Sequence, residues 1–346
     1  MRSPAQSRKT TVVRLAIVAT CLCGLIALMA LISAPQTDTH ADIGKPVLSG
    51  FAERRLETSQ IRFTMADERY TIARSDNSWV MEEEDSFPVR QDRLSELAAG
   101  LETLTYGPRR TAASAKHDQL RLGHPSDGGT GVLIEIINAS GERTNAVLIG
   151  RKNGQLYVRE PDAGQTYRAG GDLPPFYNRR AWLDFDIIDI APDSIRALRV
   201  TDATGASAYF ARPVGGDARS FRTAPPYQDF DVASRLGLST TALAITRFNP
   251  DGAKAKDRLT TPPIANHISE TFDGLEVDLN AYREPDGLWV TLRAIEAGEG
   301  ARRAEAINQK VEAWAFRLSP FDWQDFTPAI ADLMVSPQPS PEGQTE

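Results

Sequence analysis

Three aspartates in the middle of the chain have the residue type and spacing closest to those of a reactive site. Asp184, Asp186 and Asp189 alternate with apolar residues in the stretch WLDFDIID. In an extended strand Asp184 and Asp186 share a face, where two carboxylates could bind a hard cation or act as a general acid and base. The alternative is a polar strand edge opposite the apolar side chains. No oxygen-rich loop or partner base accompanies the pair, so we favour the polar edge and keep Asp184 and Asp186 as weak metal candidates.

Other residues that bind metals or act in catalysis are sparse. No two of the four histidines stand at the i, i+4 spacing of a metal site; they are His40, His117, His124 and His267. Both cysteines, Cys21 and Cys23, fall in an apolar N-terminal stretch, so the rest of the chain has no thiolate ligand. No phosphate loop, dinucleotide fingerprint or nucleophile elbow occurs. We therefore predict no catalytic residue and no cofactor, and a protein that is not an enzyme.

The charge balance argues against a nucleic-acid partner. The chain has 39 basic and 46 acidic residues, and residues 1–34 contain four of the basic ones and none of the acidic ones. The remainder has 35 basic against 46 acidic residues, a net charge of −11. Such a body repels phosphate backbones unless one face is strongly basic. The arginine pairs in it are isolated, which is typical of solvated or ion-paired arginines.

The apolar N-terminal stretch predicts a transmembrane helix. Residues 15–32 have no charged side chain, and as a helix they measure about 27 Å, enough to cross a hydrocarbon core. By the positive-inside rule the basic residues 1–14 lie in the cytoplasm, so the body lies in the periplasm. We predict a single-pass anchor in the cytoplasmic membrane over residues 15–34. A cleaved signal peptide is the alternative, although Pro35 is a poor residue after a cleavage site.

Short strands and a helix are predicted directly after the anchor. The polar residues 35–50 suit a tether, and residues 336–346 suit a disordered tail. Alternating apolar residues from Ile61 to Trp79 predict three strands. After Pro88 comes one helical stripe of leucines, which consists of Leu94, Leu97, Leu101 and Leu104. The acidic run at 82–85, before Pro88, is interpreted as solvated.

An antiparallel meander is predicted over residues 132–158. Apolar runs there are separated by a turn at Asn138-Ala139-Ser140-Gly141 and by Lys152-Asn153-Gly154. Asn-Gly between apolar runs is a strong hairpin signal, because both residues tolerate positive φ. Asn138-Ala139-Ser140 also matches a glycosylation acceptor, but Asn and Ser are common turn residues and we favour the turn.

A similar unit recurs 134 to 142 residues later. Ile195-Arg196 matches Ile61-Arg62, the segment 209–212 matches 70–74, and Phe221 stands where Trp79 does. Val232 and Leu236 then begin a second helix. This recurrence indicates repeated α+β units, the first with the meander at 51–190 and the second at 191–335.

The last third adds two strands, a helix and an aromatic cluster. The strands alternate apolar residues over 275–281 and 288–292. The helix has the spaced apolar residues Ile307, Val311, Trp314 and Leu318. The aromatic cluster comprises Phe321, Trp323 and Phe326. We interpret it as part of the core, with ligand stacking as the alternative.

In this order, these features resemble the bacterial domain of unknown function 4340. The resemblance is carried by the predicted anchor, the motif Tyr70-x-Ile72-x-Arg74, Pro88 before the leucine helix, Leu122-Gly123-x-Pro125 and the segment 148–159. It covers residues 55–240, and Leu122-Gly123-His124-Pro125 departs from the usual Gly-Leu order. It implies a membrane-tethered, repeated α+β body outside the cytoplasmic membrane, often considered alongside auxiliary parts of gliding-motility-type ABC transport systems. It supplies no catalytic residues.

The predicted fold class is therefore α+β, with an N-terminal transmembrane helix followed by repeated antiparallel-sheet-plus-helix units. Two function classes fit. The first is a non-catalytic, membrane-anchored, extracytoplasmic accessory or scaffold protein with a protein partner in the envelope, for which the resemblance suggests ABC transporter subunits. The second is an envelope hydrolase or ligand-binding module that uses Asp184, Asp186 or the region of Trp323.

Overall fold

The computed structural model describes residues 40–76, 78–217, 219–296 and 301–336. The predicted anchor and cytoplasmic segment lie outside these residues, as does the predicted tail beyond residue 336. Within the described ranges no helix is long and apolar enough to cross a membrane. The anchor and its orientation therefore stay predictions.

The first part of the described chain folds into a nine-stranded antiparallel sheet. Its strands are β1 (Thr58–Thr64), β2 (Arg69–Ser75), β3 (Ser78–Met81), β4 (Phe87–Pro88), β5 (Thr105–Arg109), β6 (Val132–Asn138), β7 (Arg143–Lys152), β8 (Gln155–Arg159) and β9 (Thr166–Gly170). Their order across the sheet is β4-β3-β2-β1-β6-β7-β8-β9-β5. The helices α1 (Phe51–Arg54) and α2 (Gln91–Thr103) accompany it. Leu94, Leu97 and Leu101 are buried on α2, which confirms the predicted leucine helix, but the helix ends at Thr103 and the prediction is wrong for Leu104, which follows it in extended conformation.

The second part forms an eight-stranded antiparallel sheet and a small two-stranded one. The strands are β10 (Ile195–Thr201), β11 (Ser207–Ala211), β12 (Arg222–Thr223), β13 (Asp231–Val232), β14 (Gly252–Ala255), β15 (Ala265–Thr271), β16 (Leu275–Glu284), β17 (Gly287–Glu296), β18 (Trp314–Arg317) and β19 (Met334–Val335). The large sheet has the order β12-β11-β10-β15-β16-β17-β18-β14, and β13 pairs with β19. The helices are α3 (Arg235–Ala242), α4 (Ala301–Val311), α5 (Pro320–Phe326) and α6 (Ile330–Leu333). Mixed α+β structure with antiparallel sheets is thus observed, as predicted.

The two large sheets follow the same connection order. Strands β3-β2-β1-β6-β7-β8-β9-β5 correspond one by one to β12-β11-β10-β15-β16-β17-β18-β14. The pairing registers agree too, because β1 and β10 both have a register shift at their start, and Ile61 pairs with Ile72 as Leu198 pairs with Phe210. By this register the residue of the second sheet that is equivalent to Ile61 is Leu198, and not Ile195. The predicted match of Ile61 with Ile195 is therefore wrong by three residues, since Ile195 precedes the shift.

Two predicted helices have different bounds in the structure. The helix predicted from Ile307 to Leu318 ends at Val311, and Trp314 begins β18, which pairs with β14 and β17. A short apolar run fits both helical and strand periods, and here the sheet edge decides between them. The other helix begins at Arg235, because the Ser234 hydroxyl accepts the N–H of Gly237 as an N-cap. Val232, predicted with Leu236 to begin this helix, lies instead in β13 opposite Met334, and Leu236 is 77% exposed.

Residues 40–50, predicted as tether, pack along β5. The N–H groups of Gly44 and Val47 donate to the carbonyls of Tyr106 and Leu104 at 2.8 and 2.9 Å, and Leu48 is buried. β5 is an edge strand, whose free N–H and C=O groups favour pairing with a further segment. The proline and glycine that suggest a flexible tether thus belong to a segment that covers a sheet edge.

Candidate functional site: a groove beside the leucine helix

A half-open groove of about 480 Å³ lies between α2 and the beginning of the first sheet. Phe51, Ile61 and Leu94 are buried residues that line it. Trp79 of β3 is half-buried there, and Leu56 is 82% exposed. Ligand sites usually have volumes of about 300–1,000 Å³ and largely apolar walls, so the groove has the dimensions of a binding site.

One wall of the groove is a single face of α2. Gln91, Leu94, Ser95 and Ala98 line it at the positions i, i+3, i+4 and i+7, which fall on one side of a helix. Ser95, Ala98 and Ala99 are small residues. They leave the helix backbone close to whatever occupies the groove.

The opposite wall carries positive charge. Arg55 and Arg74 both line the groove, and among the residues that the structure describes no acidic one does. Nη1 of Arg55 lies 2.7 Å from Oε1 of Glu102. Arg74 is exposed, and in the pairing of β2 with β3 it stands opposite Trp79. The groove therefore combines apolar surface with two cations at its side.

A second cluster of charged groups joins the two sheets. The carboxylate of Glu84 accepts the backbone N–H of Ala253 at 2.7 Å, and that of Asp85 accepts the N–H of Ala255 at 3.0 Å. Both N–H groups belong to β14, an edge strand of the eight-stranded sheet. Two side chains of the first unit thus take the place of a neighbouring strand for the second. We call Glu84, Asp85 and their partners the junction.

Two arginines complete the junction. Nε of Arg179 lies 3.2 Å from the Glu84 carboxylate, and Nε of Arg180 donates to the carbonyl of Pro250 at 2.8 Å. Burial raises the pKa of the Glu84 carboxyl above its usual range, while the N–H of Ala253 and the charge of Arg179 act in the opposite direction. Glu84 is only 4% exposed. The interpretation of the acidic run at 82–85 as solvated is therefore wrong for Glu84.

The aspartates singled out from the sequence do not lie on a strand. Between residues 183 and 190 the only bridge connects Leu183 with Val89. Asp184 is half-buried, and Asp186 and Asp189 are exposed. In the described part of the chain, no three His, Cys, Asp or Glu side chains are placed to hold a metal ion. The strand face that Asp184 and Asp186 would share is thus absent, and their role as metal ligands stays a hypothesis.

The histidines of the described chain serve as local or core groups. Nε2 of His117 lies 2.8 Å from the carbonyl of Gly164, and Nδ1 of His124 accepts the N–H of Ser126. Nε2 of His40 lies 2.9 Å from the carbonyl of Gly107. His267 is fully buried. His117 and His124 line a common cleft with Asp118 and Arg159, whereas His40 and His267 lie elsewhere.

The aromatic cluster of the last third is mainly core. Trp323 and Phe326 are buried in α5, and the Phe326 ring contacts His267 with centroids 5.1 Å apart. Phe321, by contrast, is 73% exposed. The interpretation as core is confirmed for Trp323 and Phe326 and is wrong for Phe321.

The sequence patterns predict neither the groove nor the junction. The groove combines Leu56, Arg74 and Ser95, which belong to separate elements. Of its walls, only the apolar stripe of α2 can be recognised from residues that are neighbours in the sequence. In the junction, Glu84 and its partner Ala253 are 169 residues apart. Contacts over such a separation leave no periodic trace in one sequence.

The fold and groove define an antiparallel α+β protein of two large sheets with a cleft beside its first long helix. A family model described as "Domain of unknown function (DUF4340)" matches residues 79–255, just over half of the chain. The chain belongs to this family. The matched segment runs from β3 through the junction to β14. A comparison with curated proteins found no match.

Proposed function

We propose that this protein is a non-catalytic accessory or scaffold protein, anchored in the cytoplasmic membrane through residues 15–32, whose periplasmic body binds a protein partner of the envelope. The junction is the observation that carries this proposal. Because Glu84 and Asp85 hold the edge strand of the second sheet, two sheets of like connection order are presented together. Two joined, repeated sheets offer a broad surface, which suits binding of another protein.

The outer face of the second sheet supports the same proposal. In the first sheet, Leu133 and Leu148 pack with Leu122 of the β5–β6 connection, which covers them. The positions in equivalent register on the second sheet are Asn266 and Asn280. Nδ2 of Asn266 donates to Oδ1 of Asn280 at 3.2 Å, and both are half-buried. Half-buried polar residues thus replace the buried leucines here, and their hydrogen-bonding groups suit a polar partner surface.

Crosslinking in native membranes tests the proposal. We propose ABC transporter subunits as the partner, which is the setting that the family resemblance implies. A lysine-reactive crosslinker followed by mass spectrometry is expected to link the body to membrane-bound transporter components. The double variant Asp184→Asn, Asp186→Asn is expected to give the same links, since these carboxylates are outside the proposed surfaces. Recovery of no transporter component contradicts the transport part of the proposal.

A ligand-binding module is the second candidate, and the groove is the observation that favours it. The apolar walls and two cations of the groove are suited to an amphipathic ligand. A scaffold binds a protein, whereas a ligand-binding module binds a smaller molecule. If the ligand is a peptide segment of the partner protein, the same groove fits both functions.

A further inference from the structure

We propose that the groove between α2 and β1–β3 binds a segment of the partner protein in which an apolar side chain stands next to an acidic one. This inference rests on the proposed scaffold function and names the contact through which that function is exercised. We infer the chemical character of the bound segment from three properties of the groove: its apolar walls, the small residues on its helix face and its positive charge.

The apolar walls account for the apolar side chain of the occupant. Leu56 exposes 82% of its surface beside the half-buried Trp79, above the buried Phe51 and Ile61. An apolar side chain placed here removes apolar surface of Leu56 and Trp79 from water, which favours binding. Aromatic and aliphatic anchors in such pockets contribute most of the binding energy of protein interfaces.

The small residues on α2 account for a polypeptide occupant. Ser95, Ala98 and Ala99 form an open side of the helix, and Ser95 and Ala99 are exposed. The groove is half-open, and a chain can lie along this side and insert one side chain at a time. Peptide segments in grooves are bound in this manner, with anchors at regular spacing.

The charge of the groove accounts for the acidic residue. The body as a whole has an excess of acidic residues, yet within the described ranges the groove is lined by Arg55 and Arg74 and by no carboxylate. Arg55 already pairs with Glu102, so Arg74 is the cation that a bound carboxylate would meet. An arginine beside an apolar pocket selects a partner with an acidic group and disfavours one with a basic group.

Site-specific photocrosslinking in the full-length, membrane-bound protein tests this proposal. A benzophenone amino acid in place of Gln91, an exposed residue that lines the groove at one end of the small-residue face, is expected to crosslink to a partner peptide that contains an apolar residue next to Asp or Glu. Arg74→Glu is expected to lower the yield about tenfold, because an attractive charge becomes a repulsive one. Arg69→Glu is the matched control, since Arg69 is exposed on the same strand and does not line the groove. This control is expected to keep the yield.

Several outcomes overturn the proposal. Crosslinks to lipid, to peptides without an acidic residue or to no molecule contradict it, as does an equal loss of yield in Arg74→Glu and Arg69→Glu. Lysine crosslinking of the same membranes separates this proposal from the scaffold function. If lysine crosslinking of the Arg74→Glu protein recovers the partner at the wild-type level, the groove is not the contact and the scaffold function stands. If no partner is recovered with any variant, both fail.

Discussion

At the residue scale, His267 is a histidine whose surroundings exclude a charge. It is fully buried in β15, where its ring contacts Phe326 and its Nε2 lies 3.1 Å from the hydroxyl oxygen of Ser269. The equivalent register position in the first sheet is Ile134. Burial lowers the pKa of His267 to about 3, because the charged form loses its hydration. The side chain is thus neutral in the folded protein at every pH near neutrality.

We expect His267 to make the fold sensitive to mild acid. In the unfolded chain this histidine binds a proton near pH 6.5, whereas in the folded protein it binds one only near pH 3. Its contribution is fully present above pH 6.5 and is lost as the pH falls, by about 2–3 kcal/mol between pH 6.5 and 4.5. His267→Leu removes this dependence. Urea unfolding at both pH values measures it, and an unchanged pH dependence in the variant contradicts the expectation.

At the element scale, the connection between β5 and β6 lies on the outer face of the first sheet. Leu122 is buried there against Leu133 and Leu148. The guanidinium of Arg159 donates to the carbonyls of Leu122 and Ala163, which ties the connection to the segment after β8. No Cβ fits at Gly150, since it would lie 2.3 Å from the carbonyl oxygens of Leu120 and Arg121. The β5–β6 connection therefore packs so closely on β7 that only a glycine fits at position 150.

We expect Gly150→Ala to push this connection away from the sheet. The added methyl group meets backbone carbonyls that cannot rotate aside, and overpacking of this kind costs about 1–3 kcal/mol of stability. Trypsin is then expected to cut faster after Lys116 or Arg121, together with a lower urea midpoint. Gly164→Ala is the matched control, because its nearest atom is 3.3 Å away. Equal effects of the two changes would show that the close approach does not matter.

The elements that sequence patterns predicted well are those with local signals. The leucine stripe of α2 and the turns of the meander depend on neighbours in sequence, and the structure has both. The end of α4 was missed because Trp314 pairs in a sheet with strands far along the chain. The groove and the docking of residues 40–50 were missed for the same reason. A single sequence carries periodicity but not the partners that long-range packing supplies.

At the scale of the whole molecule, the junction determines how the two sheets are joined. Glu84→Ala leaves the buried N–H of Ala253 without its acceptor and removes one of the two carboxylates beside the half-buried Arg179, which keeps Glu68. We expect a loss of about 1–3 kcal/mol in the free energy of unfolding, mainly from the unsatisfied N–H. Glu82→Ala is the control from the same acidic run. It is exposed and is expected to change stability by less than about 0.5 kcal/mol.

Urea unfolding followed by tryptophan fluorescence measures both variants. The first unit contains Trp79 and Trp182, and the second contains Trp289, Trp314 and Trp323. A weakened junction is expected to lower the midpoint of Glu84→Ala and to broaden its transition, because the two sheets no longer unfold together. A Glu84→Ala protein as stable as Glu82→Ala would show that the carboxylates do not hold the sheets together.

If the protein is anchored as proposed, the docking of residues 40–50 on β5 limits how far the body can move from the membrane. With the predicted anchor ending at residue 34, only residues 35–39 connect the bilayer with the folded body, and five residues span at most about 18 Å. An anchored body would then sample only a thin layer next to the bilayer. Its effective concentration is accordingly high for a partner embedded in the same membrane and low for one that diffuses freely.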